Sequence, residues 1–154
     1  VAGFIGIDIT GIETLKQRLL RLPREAQDAG VEEANKYLVE KMRAYPPKAT
    51  PGTPFIWASD RQRKAVMAKL REQGGPPYQR TQELRNGWKT VGSGYQQIIA
   101  NETPYADYVM GQYQQPGHQA RGWQVIGTIL QSNARKVLEK FDAGVKKAIR
   151  KLRL

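Results

Sequence analysis

Apolar residues recur along this chain with two different periods, and the changes between them divide it into segments. Residues 1–9, VAGFIGIDI, alternate loosely, with Ile5, Ile7 and Ile9 two apart. That period predicts a short strand or an extended arm. Thr10 stands three residues before Glu13, the spacing of a capping box, and Leu15, Leu19 and Leu22 mark one face of the helix that follows. Pro23 ends that helix or opens the next. From Arg24 to Ala44 the composition is helical, and Val31, Ala34, Leu38 and Met42 recur at three- and four-residue steps. One buried stripe is expected there, closed by Tyr45-Pro46-Pro47.

Residues 46–54, PPKATPGTP, are a loop by composition. Ser59 or Asp60 is a cap for a third helix reaching about Gln73, with Val66, Met67 and Leu70 as its apolar set. Arg61, Arg63, Lys64, Lys69 and Arg71 crowd the rest of it, and Gly74-Gly75-Pro76-Pro77 ends it. A helix between two proline-rich loops, spanning 46–78, reads as an insertion on a simpler plan.

From Gly87 the period shortens. Trp88, Thr90 and Val91, then Tyr95 to Ala100, suit an antiparallel pair turned around Gly92-Ser93-Gly94. Tyr105 to Met110 predicts a short strand or a helical turn, Gly111 to Gly122 a polar loop, and Trp123 to Ile126 a final strand. The last helix is expected from about Ser132 to Leu152, within a closing segment 128–154. Leu138, Phe141, Val145, Ala148 and Leu152 form its apolar seam. The plan is an α+β domain: a small antiparallel β-sheet within 80–126, flanked by long N-terminal (10–45) and C-terminal helices, with a helical insertion. No linker divides the periodicity, so 1–154 reads as a single domain.

Composition adds constraints. The chain has no cysteine and a single histidine, His118, which removes disulfides, thiolate chemistry and two-histidine metal sites. No apolar run reaches the length of a membrane span, and the first residues lack the basic start of a signal peptide. The 25 Lys+Arg against 14 Asp+Glu leave +11, which favours a polyanionic neighbour, either nucleic acid or an acidic protein surface.

Little remains for catalysis. His118 lies in a Gln/Gly loop with no nearby carboxylate and reads as a solvent-exposed residue. Gly92-Ser93-Gly94 lacks the lysine and helix start of a phosphate loop. The expectation is a protein without catalytic activity, cofactor or metal. The basic helices, with Arg61, Arg63 and Lys64 on one and Lys146, Lys147 and Arg150 on the other, admit three readings. They are a solvated face, a direct DNA-binding surface, or a charged surface matched to an acidic ring of another protein.

The ordered motifs along the chain resemble those of one family. Gly11-Ile12-Glu13-Thr14-Leu15 opens a Leu-rich helix, and a proline pair closes the long helix after it. Arg80-Thr81 then precedes Leu84 and Trp88, followed by Asn101-Glu102-Thr103-Pro104-Tyr105-Ala106-Asp107-Tyr108-Val109 and Gly111. A Gln-rich loop, Gly122-Trp123 and a basic helix complete the order. This is similar to the tail-completion, or neck (head–tail connector), family of long-tailed bacteriophages, over about residues 10–150. Ser59-Asp60-Arg61-Gln62-Arg63 resembles a branch of that family. Met110 departs from it, standing where a more polar or acidic residue is expected.

The resemblance implies a structural virion protein made in the host cytoplasm. It forms a homo-oligomeric ring, of six copies, at the neck or head-proximal end of the tail. Its partners are an adjacent connector or head-completion protein and a tail-tube or tail-terminator protein; DNA passes through the lumen, and no membrane is involved. The rival reading is a basic DNA-binding module. A ring built from heterologous contacts needs two different adhesive surfaces. One candidate is the insertion with Phe55, Ile56 and Trp57, apolar residues in a proline-flanked loop that either tuck onto their own core or meet a neighbour. The other runs from Gln112, Tyr113, Gln114 and Gln115 to Arg121. Trp88, Tyr105, Tyr108 and Trp123 are expected to stack across the sheet.

Overall fold

The computed structural model describes residues 22–50, 52–72, 74, 82–94 and 96–152. The strand or arm at 1–9, the helix capped by Thr10, and Arg80-Thr81 lie outside the described residues. Two long helices frame the rest: α1 (Arg24–Arg43) and α6 (Ile126–Leu152). Between them come α2 (Asp60–Glu72), α3 (Glu83–Asn86), β1 (Trp88–Ser93), β2 (Gln96–Asn101), α4 (Ala106–Met110) and α5 (Pro116–Ala120). The expected α+β class holds, with the long helices packed on each other and a two-stranded hairpin between them.

The long helices run antiparallel. The Tyr37 hydroxyl donates to Asn133 Oδ1 at 2.8 Å, while Gly30, two turns earlier, lies under the Phe141 ring and beside Gly144. The buried face of α1 is Ala26, Gln27, Gly30, Ala34, Leu38 and Met42; of the expected stripe Ala34, Leu38 and Met42 are buried, while Val31 is only half-buried and Gly30 is buried one position before it. Leu38 and Met42 meet Leu84, Trp88, Ile99, Val109, Met110, Ile126 and Ile129 in the main core.

The hairpin is in the register Trp88↔Asn101 through Ser93↔Gln96. Its reversal therefore falls one residue later than expected, with Gly94 at φ 65° and Gly92 inside β1 at φ 102°. The Ile99 face turns to α1, where Asn35 Nδ2 donates to Gln97 Oε1 at 2.8 Å. On the opposite face the cross-strand pair Val91 and Ile98 is exposed.

Several expectations need correction. Tyr105–Met110 makes no strand; it contains α4. Trp123–Ile126 is no strand either, because its backbone groups are used locally. Trp123 N donates to His118 O at 3.1 Å, and Gln114 Nε2 donates to Trp123 O at 2.7 Å. Helix α6 then opens at Ile126, six residues before Ser132. Ser132 Oγ and Asn133 Nδ2 donate back to the carbonyls of Thr128 and Ile129, at 2.6 and 2.7 Å, so these cap-type residues sit inside the helix. The Gly111–Gly122 loop holds the short helix α5, started by Pro116. The seam of α6 also shifts: Leu138 and Leu152 are exposed, and Val137 packs in place of Leu138. The aromatics do not stack across the sheet. Trp88 is fully buried, Tyr108 is 50% exposed, and Trp123 meets Tyr45 edge-on at 4.8 Å.

Candidate functional site

A glycine on α5 makes room for a contact that ties the insertion to the body. The Phe55 ring sits against Gly117 so closely that any β-carbon there would overlap the ring atoms Cζ and Cε1 and the Ile56 carbonyl. Pro116 starts α5 and presents Gly117, buried, toward the insertion loop. Phe55 also meets Trp57 at 4.8 Å and His118 at 5.6 Å, both edge-on. The Arg121 guanidinium lies 5.5 Å over the Phe55 ring and donates to the Thr53 carbonyl at 3.0 Å. Helix α2 adds a further link, a hydrogen bond from Gln62 Nε2 to Gln115 Oε1.

Thus the two segments read as separate adhesive surfaces, Phe55–Trp57 and Gln112–Arg121, converge on one. Phe55 and Trp57 are half-buried at their junction, while Ile56 (53% exposed) and Tyr113 (62%) face outward, as does Gln112. Gln114 turns inward: its Nε2 donates to the Val109 and Trp123 carbonyls, at 2.8 and 2.7 Å. Gln115 N donates to the Tyr108 carbonyl at 2.9 Å, bringing the exposed Tyr108 alongside. The exposed residues around this junction are therefore two tyrosines, an isoleucine and the Gln112 amide, an aromatic-bearing mixture of the kind found where proteins meet.

His118 is not the solvent-exposed loop residue its composition suggested. It is half-buried on α5, edge-on to both Phe55 and Trp123. Burial, and then the nearby Arg121 charge, hold its pKa below the ordinary histidine value. Gly117, Thr53 and Gln62 lie within segments the sequence marks, but no pattern singles them out as contacts. The one available signal was Pro116-Gly117, a helix start followed by a residue with no side chain.

The residues of the ordered motif from Leu84 onward form a brace around Asn101. Asn101, buried at the end of β2, donates from Nδ2 to the Leu84 carbonyl at 2.7 Å and accepts at Oδ1 from Thr103 N at 2.9 Å. Gly87 passes so near that a β-carbon there would lie 2.6 Å from Asn101 Oδ1. Leu84, Trp88 and Ala106 are buried around this brace. The buried Gly111 ends α4 against Asp107, where no β-carbon fits. Tyr105 donates to Glu83 Oε2 at 3.2 Å, and Trp123 packs at the core's edge.

The basic residues fall on two helices. On α2, Asp60 pairs with Arg63 (2.7 Å) and Lys64 (3.0 Å), which lowers its pKa, chiefly through the Arg63 hydrogen bond. Arg61, Lys69 and Arg71 make no ion pair among the described residues. On α6, Lys146 pairs with Asp142 at 3.4 Å, and Lys147 and Arg150 make no ion pair among the described residues. An open cleft between α1 and α3 is lined by Lys36, Glu40, Arg43, Tyr45 and Arg85. Two of its cations are already engaged: Arg43 with the Trp88 carbonyl at 3.1 Å, and Lys36 with Glu32 at 2.8 Å. Among the described residues no group of three or more His, Asp or Glu side chains gathers, and no helix is long and apolar enough to cross a membrane.

Comparison with protein-family models, with curated proteins and with solved structures finds no match to this chain.

Proposed function

We propose that this chain is a structural virion protein that closes into a ring, of six copies, at the head–tail junction of a long-tailed phage. There it joins the connector or head-completion protein to the tail tube or tail terminator around the DNA channel. The observation that carries this reading is the convergence of the insertion loop and the glutamine-rich loop on the Gly117–Phe55 contact. It builds one outward-facing surface with Ile56, Tyr108 and Tyr113 exposed together with Gln112. A subunit that meets a neighbour needs such a rigidly backed, amphipathic patch. The ordered motif from Leu84 to Trp123 supplies the backing through the Asn101 brace.

The test is binding to the proposed neighbours. The purified chain, added to heads or tails that lack it, should attach at one end only and allow the two to join. Attachment along the whole tail tube, or to neither particle, overturns the proposal.

A second reading, a basic DNA-binding module, draws on Lys147, Arg150 and Lys151 near the end of α6, none of which makes an ion pair among the described residues. It requires DNA retention at low salt, with affinity falling steeply as salt rises.

A further inference from the structure

The convergence of the two loops leaves one surface where a head-to-tail ring needs two. The second surface must accept the same edge of the molecule, to which α2 belongs. Helix α2 has 13 residues and none is buried. An isolated helix of that length is marginal in water, at about 12–15 residues. Its apolar set, Val66, Met67 and Leu70, is half-buried at Val66 and Leu70 and exposed at Met67. Five cations against two acids, Asp60 and Glu72, give α2 a charge of 5 − 2 = +3.

The whole chain carries +11, so two copies repel unless a local acidic surface meets a basic one. Helix α1 provides it. Four cations against Glu25, Asp28, Glu32, Glu33 and Glu40 give it 4 − 5 = −1, whereas α6 has seven cations against two acids, 7 − 2 = +5. Glu25 and Glu32 lie seven residues apart on the stripe opposite the buried Gly30, Ala34 and Leu38, and both are exposed. Lys64 and Arg71 are also seven apart and exposed, alongside Met67. Seven residues are two helical turns, about 10.5 Å, so the charge spacings match. Ala29, small and half-buried, stands between the glutamates at the edge of the α1–α6 crossing, where Lys147 of α6 also acts on Glu32. The existing pairs Lys64–Asp60 (3.0 Å) and Glu32–Lys36 (2.8 Å) are exposed, so exchanging them for intermolecular ones costs little.

We infer that α2 of one copy docks on the outward face of α1 of the next, Lys64 and Arg71 against Glu25 and Glu32, with Met67 over Ala29. This rests on the ring reading and names its second surface. The test is sedimentation velocity at low salt, and binding to purified tails, for the full chain and two charge-reversed variants, Lys64→Glu/Arg71→Glu and Glu25→Lys/Glu32→Lys. Each variant alone should associate at least about tenfold more weakly. An equimolar mixture should assemble again, because every contact then joins opposite charges. Circular dichroism confirms folding, and the neutral pair Lys64→Gln/Arg71→Gln should give an intermediate loss. Variants that assemble like the wild type, or a mixture of folded variants that stays dissociated, overturn this contact and leave the ring reading standing. A wild-type chain that is monomeric in solution and on tails overturns both.

Discussion

A β-carbon added to Gly144 would lie 2.9 Å from the Cα of Gly30, and closer still to the carbonyl oxygen of Ala29. The two long helices therefore cross backbone to backbone, and the Phe141 ring closes over Gly30 beside the crossing. Gly144→Ala gains helix propensity of about 1 kcal/mol. It must also push backbone away from backbone, an overpacking cost of about 1–3 kcal/mol. The expected net result is a loss of up to about 2 kcal/mol in chemical denaturation. Gly127→Ala is the matched control in the same helix: nothing lies within 4 Å of its β-carbon, so it should be neutral or stabilising.

The Asn101 brace gives a second prediction. Asn101→Ala strands the Leu84 carbonyl and the Thr103 N–H, both of which the side chain satisfies. The expected loss is about 2–3 kcal/mol in denaturant unfolding, because buried polar groups then go unpaired. Asn101→Asp keeps the acceptor for Thr103 but turns a second oxygen toward the Leu84 carbonyl, so it should not rescue.

The sequence patterns that told most were local ones. Ala34, Leu38 and Met42 marked the buried face of α1, and Ser59 capped α2 as expected, its Oγ accepting from Gln62 N at 3.1 Å. Gly30 and Gly144 were silent, because a glycine adds no apolar side chain to a periodic pattern even where helices need its absence of bulk. Trp123-Gln124-Val125-Ile126 has strand composition, yet bonds from Gln114 and to His118 hold its start as coil. The candidate surface was half-legible. Phe55–Trp57 and Gln112–Arg121 were each visible as unusual loops, but their union depends on contacts such as Arg121 to Thr53, 68 residues apart. No local pattern encodes such a contact.

Gly117→Ala should unseat Phe55, since the ring occupies the space of the new methyl group. Limited proteolysis should then cut the insertion loop around residues 52–59 faster, while global unfolding shifts by only about 1–2 kcal/mol. An unchanged cleavage rate would contradict the anchoring role given to this contact.

His118 makes that anchor sensitive to pH. Burial first, and Arg121 second, keep its pKa below the ordinary value near 6.5. A base whose folded pKa is depressed binds fewer protons folded than unfolded, so stability is full above that ordinary value. It declines as pH falls through it toward the folded pKa. The insertion should therefore become more protease-sensitive between pH 7.5 and about 5. His118→Gln should flatten this dependence, and the titration of the His118 ring by NMR should report the depressed pKa directly.

Native mass spectrometry of the intact chain, alone and after incubation with tails that lack it, puts self-assembly to the plainest trial. The account predicts one discrete closed species, six chains, in solution or seated on the head-proximal tail end. Single chains at every concentration, with nothing retained on the tails, would contradict it.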